Sequence, residues 1–296
     1  MRNLRPKVKR VGHRLVAALP AAAVERVPGR AGQRIRAVRS WQQEKSYLAP
    51  GSVSPVDNLA YNRSLWDWYA GRWSDPGFLA RQLSHEGRSA EDPSAVGRLG
   101  EEWGRLDDVR AIVNSWILSQ VDRTSVAGEI GTGGGRVATM VAPHVAQFHA
   151  FDLSAKMLEL AREQLRGVGG TSFHVLDRPE LPADLTARFD FVYSFDVFVH
   201  LDLHVQWQYL QEFHRVLKPG GKAFIHTANL TASSGWERFV AQDRYRVEGF
   251  YFMTPQGVRT LIERSGLRLL EEVGDVVGNF YTERDYLVLV EKPGEP

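Results

Sequence analysis

Apolar and polar positions fall into blocks along this chain, and the period changes from block to block. From Asp107 to Val121 the apolar residues Val109, Ile112, Val113, Trp116, Ile117 and Leu118 recur at three and four, which predicts an amphipathic helix. Val126 to Ile130 is a short apolar run, and after a glycine-rich turn Val137, Met140 and Val141 return to helical spacing. Gln147 to Phe151 predicts a second strand ending at Asp152. Ser154 suits a helix N-cap, and Met157, Leu160, Ala161 and Leu165 mark a buried helical face closed by Gly167 to Gly170. Thr171 to Leu176 and the almost wholly apolar Phe189 to Phe195 predict strands three and four; the latter pattern fits burial on both faces.

The alternation continues to the C-terminal end. Leu203 to Leu217 carries Trp207, Leu210, Phe213 and Leu217 on one helical face, Lys218-Pro219-Gly220-Gly221 stops it, and Lys222 to Thr227 is a fifth strand. Ala228 to Gly249 is polar with interspersed aromatics and is expected as an insertion. Thr254 and Pro255 fit the N-cap and first position of another helix. Leu267 to Val273 and Asp285 to Glu291 can pair as a closing hairpin. Strands alternating with helices predict an α/β fold, doubly wound, with a mostly parallel seven-stranded sheet and an antiparallel closing hairpin.

The chemistry gathers at Val126-Ala127-Gly128-Glu129-Ile130-Gly131-Thr132-Gly133-Gly134-Gly135-Arg136. Strand, glycine turn and helix let a ligand approach the main chain. An acid after the next strand, here Asp152, suits the two hydroxyls of a ribose. A dinucleotide fingerprint needs a third glycine where Arg136 stands, so that reading fails. Glu129-x-Gly131-x-Gly133-x-Gly135 resembles motif I of the class I S-adenosylmethionine-dependent methyltransferases. Asp152-Leu153-Ser154-Ala155-Lys156-Met157-Leu158 resembles that family's acidic loop, and Arg215-Val216-Leu217-Lys218-Pro219-Gly220-Gly221 its signature before the fifth strand. The resemblance spans about 120–292.

The resemblance implies S-adenosyl-L-methionine as cofactor. It implies that Gly131, Gly133 and Gly135 admit the methionine and ribose portions, that Glu129 meets the amino group and that Asp152 holds the ribose. Leu153 and Met157 would lie against the adenine, Asp177 would accept from its amine, and Ser194 or Phe195 would flank the sulfonium. Many such enzymes carry helices before motif I that cover the cofactor. The aromatic block Tyr61, Trp66, Trp68, Tyr69, Trp73 and Phe78 fits such a lid; Trp103 and Trp73 are candidates for it, with simple packing as the default. The expected organisation is a basic arm over 1–45, a helical lid over 46–106 and a methyltransferase domain over 107–296, with Ala49 to Pro55 as a linker.

A hydroxyl acceptor loses its proton as it attacks, and neutral histidine is suited to take it. His200, after the fourth strand, is the first candidate base and His226, near the end of the fifth, the second; a structural role is the default for each. His200-Leu201-Asp202-Leu203-His204 alternates liganding types, but it reads better as a strand-to-helix connection with Asp202 as N-cap, and no metal is expected.

Composition adds two facts. No cysteine occurs in the sequence, which excludes disulfides, cysteine-ligated zinc and a thiol nucleophile within it. Residues 1–45 hold 12 of the 37 Lys and Arg and 2 of the 35 Asp and Glu, so this arm is +10 while 46–296 is −8. Leu4, Val8, Val11, Leu15, Val16 and Leu19 form a helical stripe beside its basic residues, and Arg34 to Gln43 is helical in pattern. A signal peptide is disfavoured by Pro20 and the short, alanine-rich apolar run; a transit peptide, a solvated arm and a basic helix on anionic lipid remain. The expected location is cytoplasmic or membrane-peripheral. Three function classes stand: a small-molecule methyltransferase acting on a sugar, glycolipid or secondary-metabolite hydroxyl, a nucleic-acid methyltransferase using the arm, and a non-catalytic cofactor-binding scaffold. Ser194-Phe195-Asp196-Val197 in place of the motif for amino methylation of bases, and the acidic body, favour the first.

Overall fold

Seven strands make one sheet: β1 (Val126–Ile130), β2 (Gln147–Asp152), β3 (Thr171–Val175), β4 (Phe189–Ser194), β5 (Leu217–Ala228), β6 (Arg268–Gly274) and β7 (Asp285–Glu291). Their spatial order is β3-β2-β1-β4-β5-β7-β6. β1 to β5 run parallel, and β7, inserted between β5 and β6, is antiparallel to both. The order reverses between β1 and β4, so a crevice opens at their carboxyl ends, where ligands of open α/β sheets bind. This is a computed structural model, and it describes residues 57–75, 77–78, 99–242 and 249–294. The basic arm, its helical stripe, the segment Arg34 to Gln43 and the linker at Ala49 to Pro55 lie outside the described residues.

Both faces of the sheet are covered, which explains why its central strands are apolar without alternation. Along β7, Leu287 and Leu289 join one core while Val288 and Val290 join the other. The first five helices are α1 (Asn58–Ala70), α2 (Leu106–Ile112), α3 (Ala138–Val141), α4 (Ala155–Gln164) and α5 (Leu203–Val216): α2, α3 and α4 pack Val109, Ile112, Ala138, Val141 and Leu158 into the core of Leu287, whereas α5 packs Leu210, Phe213 and Val216 into that of Val288. The remaining helices are α6 (Ser233–Gln242), α7 (Pro255–Arg264) and the short α8 (Phe280–Arg284).

The caps form where the sequence predicts them. Ser154 Oγ accepts from Met157 N–H, Asp202 from His204 and Val205 N–H, and Thr254 from Gly257 N–H, each satisfying donors a helix start leaves open. Three boundaries differ from expectation. The helix expected through Val121 keeps α geometry only to Ile112; a π-helical turn, Val113–Ile117, and a 3₁₀ turn follow. The wider turn lets the neighbours Trp116 and Ile117 both bury, Trp116 against Phe224 at 5.6 Å. Leu217 belongs to β5 rather than to the preceding helix. Lys218-Pro219-Gly220-Gly221 is an irregularity within that strand, opposite Phe189 to Phe191, and Gly220 N–H donates to Lys292 O at 2.8 Å. The expected polar insertion contains α6.

Candidate functional site

The turn after β1 carries its ligand-admitting geometry in two glycines. Gly131 has φ +74°, and a Cβ there would lie 2.3 Å from Val197 Cγ2. Its bareness lets the loop after β4 close over the turn after β1. Gly133 has φ +57°, and a Cβ there would meet nothing within 4 Å, so its main chain fronts open space. Gly135 faces the other way, against Ala161 of α4.

Asp152 ends β2 beside this turn. Gly133 N–H donates to its Oδ2 and Ser154 N–H to its Oδ1, both at 2.8 Å. Burial pushes its carboxyl up to about 6, against the pull of those two N–H groups. Glu129 lies deeper, 2% exposed, and its Oε2 has no hydrogen-bond partner among the described residues. Burial drives its carboxyl well above the ordinary range; the Arg136 charge and the Tyr193 hydroxyl oppose this.

A cavity of about 590 Å³, open to solvent, runs over these residues. Gly131, Gly133, Asp152, Leu153 and Met157 line it from the glycine turn, β2 and α4. Asn62 and Trp66 of α1, with Trp103, line it from the preceding segment, and Asp196, Val197, His200 and Leu201 from the loop after β4. The aromatic wall is braced: Trp66 stands 5.5 Å from Trp103, and Trp103 Nε1–H donates to Tyr69 Oη at 3.2 Å. Trp73 belongs to the same aromatic cluster but does not line the cavity.

Several expected site residues stand elsewhere. The carboxylate of Asp177 is turned out, its side chain 93% exposed and 3.7 Å from Arg63. Side chains alternate along the chain leaving β3, so Leu176 faces the cavity and Asp177 does not. Ser194 is fully buried with its Oγ donating to Ile130 O, and Phe195 packs against Tyr281 and His226 behind the wall. The reason is Asp196, whose φ of +59° reverses the chain and brings Asp196 and Val197 to the cavity instead. His226 does not line the cavity. It is fully buried, its Nδ1 accepts from Asp196 N–H at 3.0 Å, and its Nε2 lies 2.9 Å from Asp285.

His200 does line the cavity. Its Nδ1 is 2.9 Å from Gly249 O, which can only accept, so Nδ1 carries the proton and Nε2 the lone pair. Burial holds the imidazole down to about 4, opposed by the Gly249 carbonyl and the Asp196 charge, so it is neutral at pH 7. Asn58 and Asn62 of α1 both donate to His200 O, at 3.1 and 3.2 Å, which fixes its backbone.

The sequence reading passed over Asp196 and its support. Asp196 Oδ2 accepts from Arg136 Nη2 at 2.5 Å and from Tyr281 Oη–H at 3.1 Å; Arg136 Nη1 donates to Gly100 O. Burial alone would raise the Asp196 carboxyl, but the Arg136 guanidinium holds it down to about 2. The signal was an acid placed directly after a buried strand at the sheet's switch point. Among the described residues no group of three or more His, Cys, Asp or Glu could hold a metal ion, and no helix is long and apolar enough to cross a membrane.

Comparison with known proteins places this geometry. The model of a family described as a methyltransferase domain matches residues 128–221. The biotin biosynthesis bifunctional protein BioHC of Cellvibrio japonicus is 33% identical over 124 residues, 40% of this chain and 22% of that protein. The ubiquinone biosynthesis O-methyltransferase of Pseudomonas aeruginosa is 26% identical over 133 residues, 43% of this chain and 55% of that protein. The chain thus spans a minor share of the first relative and about half of the second. In fold it is similar to magnesium protoporphyrin IX methyltransferase from Synechocystis with bound S-adenosylhomocysteine (TM-score 0.54, 14% identity, 80% of this chain, 100% of that one). The N-methyltransferase NodS of Bradyrhizobium japonicum, also in complex with S-adenosylhomocysteine, gives TM-score 0.51 at 18% identity, covering 72% of this chain and 98% of that one.

Gly131→Ala adds a methyl group that collides with Val197 at a left-handed position. We expect it to destabilise the fold by about 1–3 kcal/mol and to weaken S-adenosylhomocysteine binding sharply. Denaturant unfolding and calorimetry measure the two effects; an alanine variant with unchanged affinity would show that this approach is dispensable.

Proposed function

We propose that this chain, which belongs through its residues 128–221 to the class I S-adenosylmethionine-dependent methyltransferases, methylates a hydroxyl group of a small molecule. The observation that carries the reading is one cavity holding both an open glycine turn with a buried acid and, beyond them, a neutral histidine on an aromatic wall. The cofactor fits the residues present. The bare main chain at Gly133, the carboxylate of Asp152 and the apolar faces of Leu153 and Met157 suit a ribose and an adenine, and the orphaned Glu129 Oε2 lies beneath the same turn. S-adenosylmethionine supplies an activated methyl group when bound.

The chain's own residues then bind, orient and move a proton. Asp152 accepts the ribose hydroxyls. Trp66 and Trp103 exclude water and flank the acceptor. His200 Nε2 receives the acceptor's proton as its oxygen attacks. An imidazole held near 4 is a weak base for an alcohol at rest, so the transfer runs together with bond formation rather than before it. The acceptor class is a sugar, glycolipid or secondary metabolite; the relative that methylates a hydroxyl in ubiquinone biosynthesis is in keeping with oxygen as the target.

Incubation with methyl-labelled cofactor and a metabolite extract, followed by mass spectrometry, identifies the labelled product. A product methylated on oxygen is expected, and label found in nucleic acid instead would replace this reading. With that acceptor, His200→Ala should lower kcat by ~10²–10⁴ while leaving cofactor affinity unchanged.

The raised Asp152 carboxyl makes a pH prediction. Ionised above about 6, it accepts from both hydroxyls; as pH falls through that value it protonates and an acceptor site is lost. Affinity for S-adenosylhomocysteine should fall over this window. Asp152→Asn should bind weakly at every pH, by roughly tenfold or more, and show no such window. An Asn variant that keeps the wild-type pH dependence would assign it to another group.

The arm is a separate matter. Its +10 charge and apolar stripe favour peripheral contact with anionic membrane, each basic residue contributing ~1 kcal/mol near such a surface. Deleting residues 1–45 should abolish salt-sensitive pelleting with phosphatidylserine-containing liposomes and spare cofactor binding. Full-length protein that ignores such liposomes at low salt would end this reading.

A further inference from the structure

The loop after β4 presents its side chains with helical spacing. Asp196 and Val197 face the cavity, Phe198 and Val199 turn into the core at 1% exposure, and His200 and Leu201 face the cavity again. The left-handed residue Asp196 and the 3₁₀ turn that follows it, Phe198–His200, therefore bring two polar side chains, Asp196 and His200, to one cavity.

Both offer a lone pair and no hydrogen. Asp196 Oδ2 is occupied by Arg136 and Tyr281. Its Oδ1 lies 3.4 Å from His226 Nδ1, which is already accepting from Asp196 N–H and has no hydrogen to give. That leaves Oδ1 without a donor among the described residues. His200 is in the same position: Nδ1–H is spent on Gly249 O, and Nε2 remains. Neither atom can satisfy the other, and among the described residues nothing else donates to them. Hydrogen bonds to a charged acceptor are among the stronger ones, so an unfilled ionised oxygen in a largely apolar cavity is a site awaiting a donor.

We propose that Asp196 is a specificity-determining residue of this cavity, and that with His200 it selects an acceptor bearing two neighbouring hydroxyl groups. One hydroxyl donates to Asp196 Oδ1 and stays unmodified. The other donates to His200 Nε2 and is methylated: its oxygen bonds to the methyl carbon, the carbon–sulfur electron pair remains on sulfur, and its proton passes to Nε2. The inference rests on the methyltransferase reading above. Asp196 also acts through space. The titratable and charged groups that act on His200 are Asp196, which favours the imidazolium, and Arg238 and His226, which oppose it. The carboxylate is thus the one of the three that supports the proton once it has arrived.

The strained backbone at Asp196 belongs with this. An acid held at φ +59° and fixed on one oxygen by a guanidinium and a phenol is aimed, not merely buried.

The test needs no knowledge of the natural acceptor. Full-length protein, labelled with ¹³C-histidine and saturated with S-adenosylhomocysteine, is titrated with cis-1,2-cyclohexanediol and with cyclohexanol, following the His200 resonance assigned from His200→Gln. The diol should bind roughly tenfold or more tightly than the mono-alcohol. Asp196→Asn keeps the shape and tolerates the left-handed backbone but presents an amide; it should erase the preference and lower the apparent pKa of His200 by about 1. If loss of the charge beside Arg136 unfolds that variant, Asp196→Glu retains the charge and displaces the oxygen, and the preference should again be lost. Equal binding of diol and mono-alcohol by the wild type, or a preference that survives in the folded variant, overturns the proposal. Absence of methyl transfer to any oxygen in the extract would instead overturn the functional reading, and leaves these titrations to decide Asp196 by themselves.

Discussion

Arg136 is the group on which the arrangement of this site depends. It is 5% exposed, and a guanidinium so placed must find its partners within the protein. It finds them in three separate parts of the chain: the Gly100 carbonyl before the domain's first strand, Asp196 after the fourth, and Tyr281 of α8 near the end. The residue itself stands one position after the glycine turn. A single side chain therefore fastens the turn, the loop after β4 that lines the cavity, and two distant segments. Breaking a buried ion pair by removing one partner typically costs ~3–5 kcal/mol, a large part of a domain's net stability. The pair also has a functional consequence, since the same guanidinium keeps Asp196 ionised.

The fold was legible because its determinants are local and repetitive. Two-sided burial of β4, the caps at Ser154, Asp202 and Thr254, and the run Arg215 to Gly221 each declare themselves in a few consecutive residues. What failed was continuity. A regular period from Val109 to Leu118 gives no sign that the helix widens at Val113, because the cause is the packing of Trp116 on Phe224, more than a hundred residues away. Likewise a Pro-Gly-Gly run looks like a stop, and the pairing of Gly220 and Gly221 with the distant Lys292 keeps it within the strand.

The site was legible on one side. Gly131, Gly133, Asp152, Leu153 and Met157 line the cavity, and all lie within a short span around β1 and β2. On the other side the expected Ser194 and Phe195 do not line the cavity, and the residues just after them do. Ser194 and Phe195 sit at the strand's end in sequence, but one left-handed residue turns the chain so that their successors face the ligand. A conformation of that kind is seldom visible in an aspartate's neighbours, since aspartate is common in ordinary turns. His226 attracted attention for its residue type and its place near the end of the fifth strand, and its burial between Asp196 and Asp285 involves strand pairing that no short window reveals.

The two asparagines of α1 join the parts of this molecule in another sense. Asn58 and Asn62 donate to the carbonyl of His200, and Trp66, one turn on, stands 5.3 Å from its ring. The histidine on the cavity wall is thus steadied by a helix that precedes the sheet and lies outside the matched 128–221 stretch. A lineage could exchange that helix for another and alter what is methylated, yet every exchange would have to supply something that grips the same carbonyl. The histidine's posture acts as a toll on innovation: new acceptors are reached through helices that can still hold it.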